Sequence, residues 1–110
     1  MHGSLERMKA FTAADPNSTE ANSNRTALHK AAYWGHVDII TYLASERKAN
    51  LDAVDSNGDS AMHDAARFGH VSCVQALVNA GANKSTKNNS GQSAKDVASA
   101  YGQDAVVALL

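Results

Sequence analysis

At 110 residues, with 44% apolar and 19% charged side chains, the chain has the material for one folded domain, which would bury roughly 65% of its unfolded surface. A formal net charge of -1 excludes the strongly basic field that nucleic acid or an anionic membrane surface requires. Cys73 is the single cysteine, which excludes an intrachain disulfide and a thiolate metal cluster and fits a reducing compartment, cytoplasm or nucleus.

In chain order, the opening "MHGSLERMKAF" lacks the apolar core of about 7–15 residues that marks a secretory signal. No stretch approaches the ~18 apolar residues of a membrane span. "SLERMKAFTAADPN" reads as a helix and its exit loop, with Leu5, Met8 and Phe11 as a buried edge. The next segment, "TALHKAAYWGHVDIITYLA", begins at Thr26, and "SAMHDAARFGHVSCVQALV" begins at Ser60, 34 residues later. A third copy, "SAKDVASAYGQDAVVALL", begins at Ser93, 33 residues after that. His29 aligns with His63 and Asp96, Gly35 with Gly69 and Gly102, and Leu43 with Leu77 and Leu110.

Each copy predicts two helices. Thr26, Ser60 and Ser93 stand as N-caps. Leu28, Ala31 and Ala32, then Met62, Ala65 and Ala66, form small-residue stripes at i, i+3, i+4 that let first helices sit close. Gly35 and Gly69 mark a turn that favours positive φ. Val37, Ile39, Ile40 and Leu43, then Val71, Val74, Leu77 and Val78, supply the second helices, and Gly81 stops the latter. "DSNGD" (Asp55 to Asp59) and "NNSGQ" (Asn88 to Gln92) have turn chemistry. Asn24 takes the equivalent glycine position, as the next residue most tolerant of the left-handed region. One extra residue near Arg47 and Lys48 is assigned to the loop after the second helix of the first full copy.

The period, the T-P-L-H-x-A-like helix start and the following G-H resemble the ankyrin repeat over about residues 5–110. Ala27, Ala61 and Ala94 replace the proline of that motif, which softens the helix starts without removing them. The resemblance implies an all-α solenoid of stacked antiparallel helix pairs with short turn or hairpin connections. It divides the chain into a partial copy at about 5–22, copies at about 23–55 and 56–88, and a last copy at about 89–110. A single copy cannot bury its own apolar face, so stability is shared through stacking. The partnerless first helix and the apolar "ALL" terminus are expected of a fragment of a longer chain.

Several residues invite a chemical reading. His29, His36, His63 and His70 have metal-ligand chemistry, but each recurs in place with the repeat and no third ligand recurs beside it. The resemblance implies structural hydrogen bonds for His29 and His63. "AVDSNGDSAMHD" partly matches a calcium loop, yet Ala53 stands where a carboxylate is needed and Asp64 replaces the bidentate glutamate. Ser60, His63 and Asp64, or Cys73 and His70, come with no recognisable oxyanion site. No phosphate-cradling glycine loop is present. The expectation is a non-enzymatic chain without metal or cofactor.

Charges alternate by turn, with Asp52, Asp55 and Asp59 before the second copy and Lys84, Lys87 and Lys95 around the third; a solvated face is expected of them. Trp34, Phe68 and Tyr101 fall one repeat apart, each just before its glycine, with Tyr33 and Arg67 beside them. In ankyrin-like stacks this end of the first helix faces the concave groove. The expected function is protein–protein interaction through that groove, by Tyr33, Trp34, Arg67, Phe68 and Tyr101, with polar help from Arg25, Asn57, Asp59 and Gln92 at the turn tips. Trp, Tyr and Arg are the residue types that dominate binding hot spots. The expected partner is a protein or peptide, not nucleic acid or membrane, met by a monomer. The alternative is a structural or targeting segment of a larger multidomain enzyme or scaffold.

Overall fold

A computed structural model describes residues 24–46 and 49–110. Among them lie α1 (Ala27–Trp34), α2 (Val37–Ser45), α3 (Ala61–Arg67), α4 (Val71–Asn79), α5 (Ala94–Ala100) and α6 (Asp104–Leu109). The partial copy expected at about 5–22 and the extra residue near Arg47 and Lys48 lie outside the described residues.

The first helices start as their caps direct. The hydroxyl of Thr26 accepts from the His29 N–H and that of Ser60 from the His63 N–H, at 3.3 and 3.4 Å. The histidine at the third helical position returns the bond. Nδ1 of His29 accepts from the Thr26 N–H at 3.1 Å, and Nδ1 of His63 from the Ser60 N–H at 3.0 Å. Two orphan donors per helix start are thereby satisfied by the reciprocal pattern of a capping box, with imidazole in the usual place of glutamate.

An acceptor at Nδ1 leaves the ring proton on Nε2, and that proton reaches the next copy. Nε2–H of His29 donates to the Asp59 carbonyl and that of His63 to the Gln92 carbonyl, each at 2.8 Å. Each histidine therefore caps its own helix and ties the following turn, which explains its recurrence without a metal.

Asp96 closes the same box in the third copy, taking the Ser93 N–H at 3.1 Å while Ser93 Oγ accepts the Asp96 N–H at 3.2 Å. These hydrogen bonds, the backbone one first, hold the Asp96 carboxyl below its usual value. A depressed acid binds its proton less tightly in the folded state, so its contribution to stability is present above the ordinary carboxylate value. That contribution is lost as pH falls through the folded one. Below about pH 4, the wild type should lose denaturation midpoint faster than Asp96→Asn, measured by urea titration across pH; parallel curves would contradict the assignment.

Packing builds two layers. α1 packs on α3 and α3 on α5; behind them α2 packs on α4 and α4 on α6, and each first helix also packs on its own second helix. The alanine stripes make the close inner layer possible: Ala31, Ala32, Ala65, Ala66 and Ala98 are fully buried. Ile40, Leu43, Met62, Val74, Leu77 and Val106 fill the space between layers. Gly35 and Gly69 turn each pair at φ 76° and 70°. A Cβ at Gly35 would also meet the His70 ring at 2.9 Å, so this turn is held in the left-handed region and crowded by the next copy.

The connections are tight turns, with extended pairing limited among the described residues to an antiparallel bridge between Val54 and Ser60. Asp55 and Asn88 organise the two turns alike. Oδ1 of Asp55 accepts from the N–H groups of Asn57 and Asp59 at 2.9 and 3.0 Å. Oδ1 of Asn88 accepts from those of Ser90 and Gln92, both at 3.0 Å. The turns interlock: the Asn89 N–H donates to the Asn57 carbonyl at 2.9 Å, and Nδ2 of Asn89 to the Ser56 carbonyl at 3.0 Å.

Candidate functional site

The first helices end in aromatic residues because their inner stripes are filled by alanine, which leaves the last turn of each helix to larger side chains beyond the stacking surface. Tyr33 is 39%, Trp34 67%, Phe68 41% and Tyr101 58% exposed. The rings of the first two copies touch. Tyr33 meets Phe68 edge-on with centroids 4.6 Å apart, and meets Trp34 edge-on at 5.1 Å. Edge-to-face pairs in this range are favourable beyond the area they bury. Cross-copy contact thus runs from Tyr33 to Phe68, diagonally to the register in which Trp34, Phe68 and Tyr101 align.

Beneath the rings lies a polar floor. Nη1 of Arg25 donates to Oδ2 of Asp55 at 3.0 Å and Nη2 to Oδ2 of Asp64 at 2.7 Å. Nη1 of Arg67 donates to Oδ1 of Asp64 at 3.3 Å and Nη2 to Oδ2 of Asp59 at 3.1 Å. Nδ2 of Asn88 completes Asp59 at 2.9 Å. Each guanidinium also lies against a ring, Arg25 on Tyr33 at 5.5 Å and Arg67 on Tyr101 at 5.6 Å. The chain of contacts Tyr33–Arg25–Asp64–Arg67–Tyr101 therefore crosses all three copies.

Two expectations are corrected here. Asp55 and Asp59 do not belong to a solvated face: they are 6% and 5% exposed. Asp59 is accordingly not an outward polar contact at a turn tip. The residue preceding each N-cap pairs with the turn-base residue of the next copy, as Arg25 with Asp55 and Asp59 with Asn88. That polar link between copies, with the pairs Arg67 makes inside the second copy, engages both the acids and the arginines. Burial pushes the Asp64 carboxyl above its usual value, and the charge of Arg25 pulls against it. Burial works to lower the Arg67 pKa, and the Asp59 carboxylate together with Asp64 and Tyr101 more than offsets this, so the guanidinium stays charged.

Of the nine residues expected at the site, Tyr33, Trp34, Phe68 and Tyr101 are exposed on first-helix ends, and Asn57 is exposed at a turn tip. Arg25 and Arg67 form the floor with 21% of each side chain exposed. Gln92 is half-buried, its carbonyl held by His63. Sequence reasoning missed Asp64 as a structural carboxylate. Its signal was available: it is the acid at i, i+3 to Arg67 on the inner face of a helix otherwise lined by alanine. A hollow of ≈ 230 Å³ lies beside the rings, lined by Arg25, Lys30, Tyr33 and Trp34.

The catalytic arrangements weighed from sequence are otherwise occupied. Ser60 is 3% exposed and its hydroxyl serves the helix cap. Asp64 points to the arginines. Nε2 of His70 is bonded to the Tyr33 carbonyl at 3.0 Å. Cys73 is buried among core residues, and desolvation, with the charge of Asp38, pushes its thiol up to about 11. The thiolate is the reactive form, so iodoacetamide at pH near 8 should leave Cys73 unmodified in the folded chain and alkylate it fully in denaturant. Rapid modification of the folded chain, read by mass spectrometry, would contradict its burial.

No helix of the described residues is long and apolar enough to cross a membrane. A family model described as ankyrin repeats (3 copies) matches residues 1–88 and 48–110. The chain is also 33% identical over 81 residues to the E3 ubiquitin-protein ligase KEG of Arabidopsis thaliana. The match covers 72% of this chain but spans only 5% of the length of that curated relative.

Proposed function

The chain belongs to the ankyrin-repeat family, whose repeats are protein-interaction modules, and on that premise we propose that it binds a protein or peptide without catalysis, through the groove formed by its first helices and turn tips. The observation that carries this reading is the exposed aromatic row of Tyr33, Trp34, Phe68 and Tyr101. It stands over a floor whose polar groups are satisfied: among the described residues no buried side-chain nitrogen or oxygen lacks a hydrogen-bond partner. Large rings that are held in place lose little rotamer freedom on binding, and a preformed surface needs little ordering. Asn57 and Gln92 supply polar contacts at the edge, and Arg25 and Arg67 orient the rings. The proposed setting is cytoplasmic or nuclear, with the chain a monomer.

A second use follows from the relative. The matching segment there is a small part of a ligase, and under this second reading the stack is a structural or targeting segment of a larger multidomain enzyme or scaffold. Affinity capture from cell lysate, with wild type and Tyr101→Ala as parallel baits and mass spectrometry as readout, tests the proposal. Partners held by the wild type and lost by the folded variant support the groove; an identical set on both baits contradicts it.

A further inference from the structure

We infer that Asp64 determines the chemical class of the partner: by holding Arg25 and Arg67 it withdraws their charge from the groove, which therefore takes an uncharged peptide segment bearing apolar or aromatic side chains instead of an acidic or phosphorylated one. The inference rests on the groove reading above. Arginine beside aromatic rings would ordinarily suit carboxylates and phosphates, which a free guanidinium binds through two parallel hydrogen bonds. Here each terminal nitrogen already faces a carboxylate. Arg25 bridges Asp55 and Asp64, and Arg67 bridges Asp59 and Asp64. Three carboxylates face two guanidiniums in this floor, so an approaching anion meets no net positive charge.

A cationic partner is equally unserved. The side chains of Asp55, Asp59 and Asp64 are only 3%, 7% and 1% exposed, which hides them from an incoming lysine or arginine. Lys30 borders the hollow and is itself engaged. What remains open is ring surface with amides at the rim. Asn57 is exposed and Gln92 half-buried, and their side-chain amides can pair with the backbone of an extended segment, which carries no charge. The position of Asp64 is decisive because, among the described residues, it is the carboxylate that touches both arginines. Lys30 and Val97 hold the same place in the flanking copies, so the repeat pattern does not require an acid there.

The test pans a displayed library of random short peptides on the wild-type chain and on Trp34→Ala. The expected peptides need Trp34, carry apolar or aromatic anchors without charge clusters, and bind with similar affinity from about 0.1 M to about 1 M salt, over which the screening length falls from about 10 Å to about 3 Å. Asp64→Asn should then bind a short oligoglutamate peptide about tenfold more tightly than wild type, with the gain erased at the higher salt. Asp59→Asn, which frees a different bond of Arg67, provides the same readout if Asp64→Asn fails to fold by circular dichroism. Wild-type peptides that need Trp34 but are acidic or basic and salt-sensitive would overturn the assignment to Asp64 while leaving the groove reading intact. Peptides indifferent to Trp34→Ala would overturn both.

Discussion

Replacing Leu77 by alanine should remove about 2–5 kcal/mol of unfolding free energy, the range for deleting most of a buried leucine from a packed core. Leu77 lies in α4 with no exposed surface, and α4 packs on α2, α3 and α6. The void opens where the two layers meet and where all three copies contribute. The loss is large for a domain of this size, whose total stability is commonly about 5–15 kcal/mol. In a short stack it is shared with the neighbours, because each copy depends on the next for its apolar cover. Urea titration should show a lower midpoint at unchanged slope. The control is Val71→Ala, at a site 39% exposed, which should stay within about 0.5 kcal/mol of wild type. Equal effects at the two positions would contradict the layered core.

Trp34→Ala should do the opposite, leaving stability nearly unchanged while weakening partner affinity by about 2 kcal/mol or more, roughly thirtyfold. The indole is 67% exposed and meets Tyr33 only by an edge contact. It caps no helix and fills no core position. Its removal subtracts ring area from the outward face and leaves the Tyr33–Phe68 contact and the arginine bridges in place. Isothermal titration with a groove-binding peptide gives the affinity, and denaturation gives the stability. A variant that unfolds while affinity per folded molecule is preserved would make Trp34 a packing residue.

The architecture was legible because its determinants repeat. Thr26, Ser60 and Ser93 announce helix starts, Gly35 and Gly69 announce turns, and the alanine stripes announce close helix packing, all in one register. His29 and His63 were legible as structural for the same reason. Their bonds to the following turn could be assigned through the family resemblance, whereas the imidazole capping box emerges from geometry. The floor of the groove was hidden. Asp55 and Asp59 sit in turn sequences that also suit solvent, and nothing in a single copy reveals that Arg25 reaches Asp55 or that Asn88 reaches Asp59. Those are contacts between copies, and their polarity changes from one junction to the next, so no periodic signal marks them. Asp64 has no periodic signal, since lysine and valine occupy its place elsewhere, and only its i, i+3 spacing to Arg67 within the second copy marks it. The aromatic row was visible in sequence as residues one repeat apart, but its actual pairing is diagonal, because Tyr33 reaches across to Phe68 at 4.6 Å.

The central claim is that the partner covers the outward ends of the first helices. Trp34 is the single tryptophan of the chain, so its emission reports that surface without labelling. The decisive measurement is acrylamide quenching of Trp34 emission, free and saturated with a tryptophan-free peptide selected on the folded chain. The free protein should quench strongly, as its exposure requires, and the complex should quench several-fold less because the indole is covered. Saturated binding with unchanged quenching would place the partner elsewhere and contradict the claim.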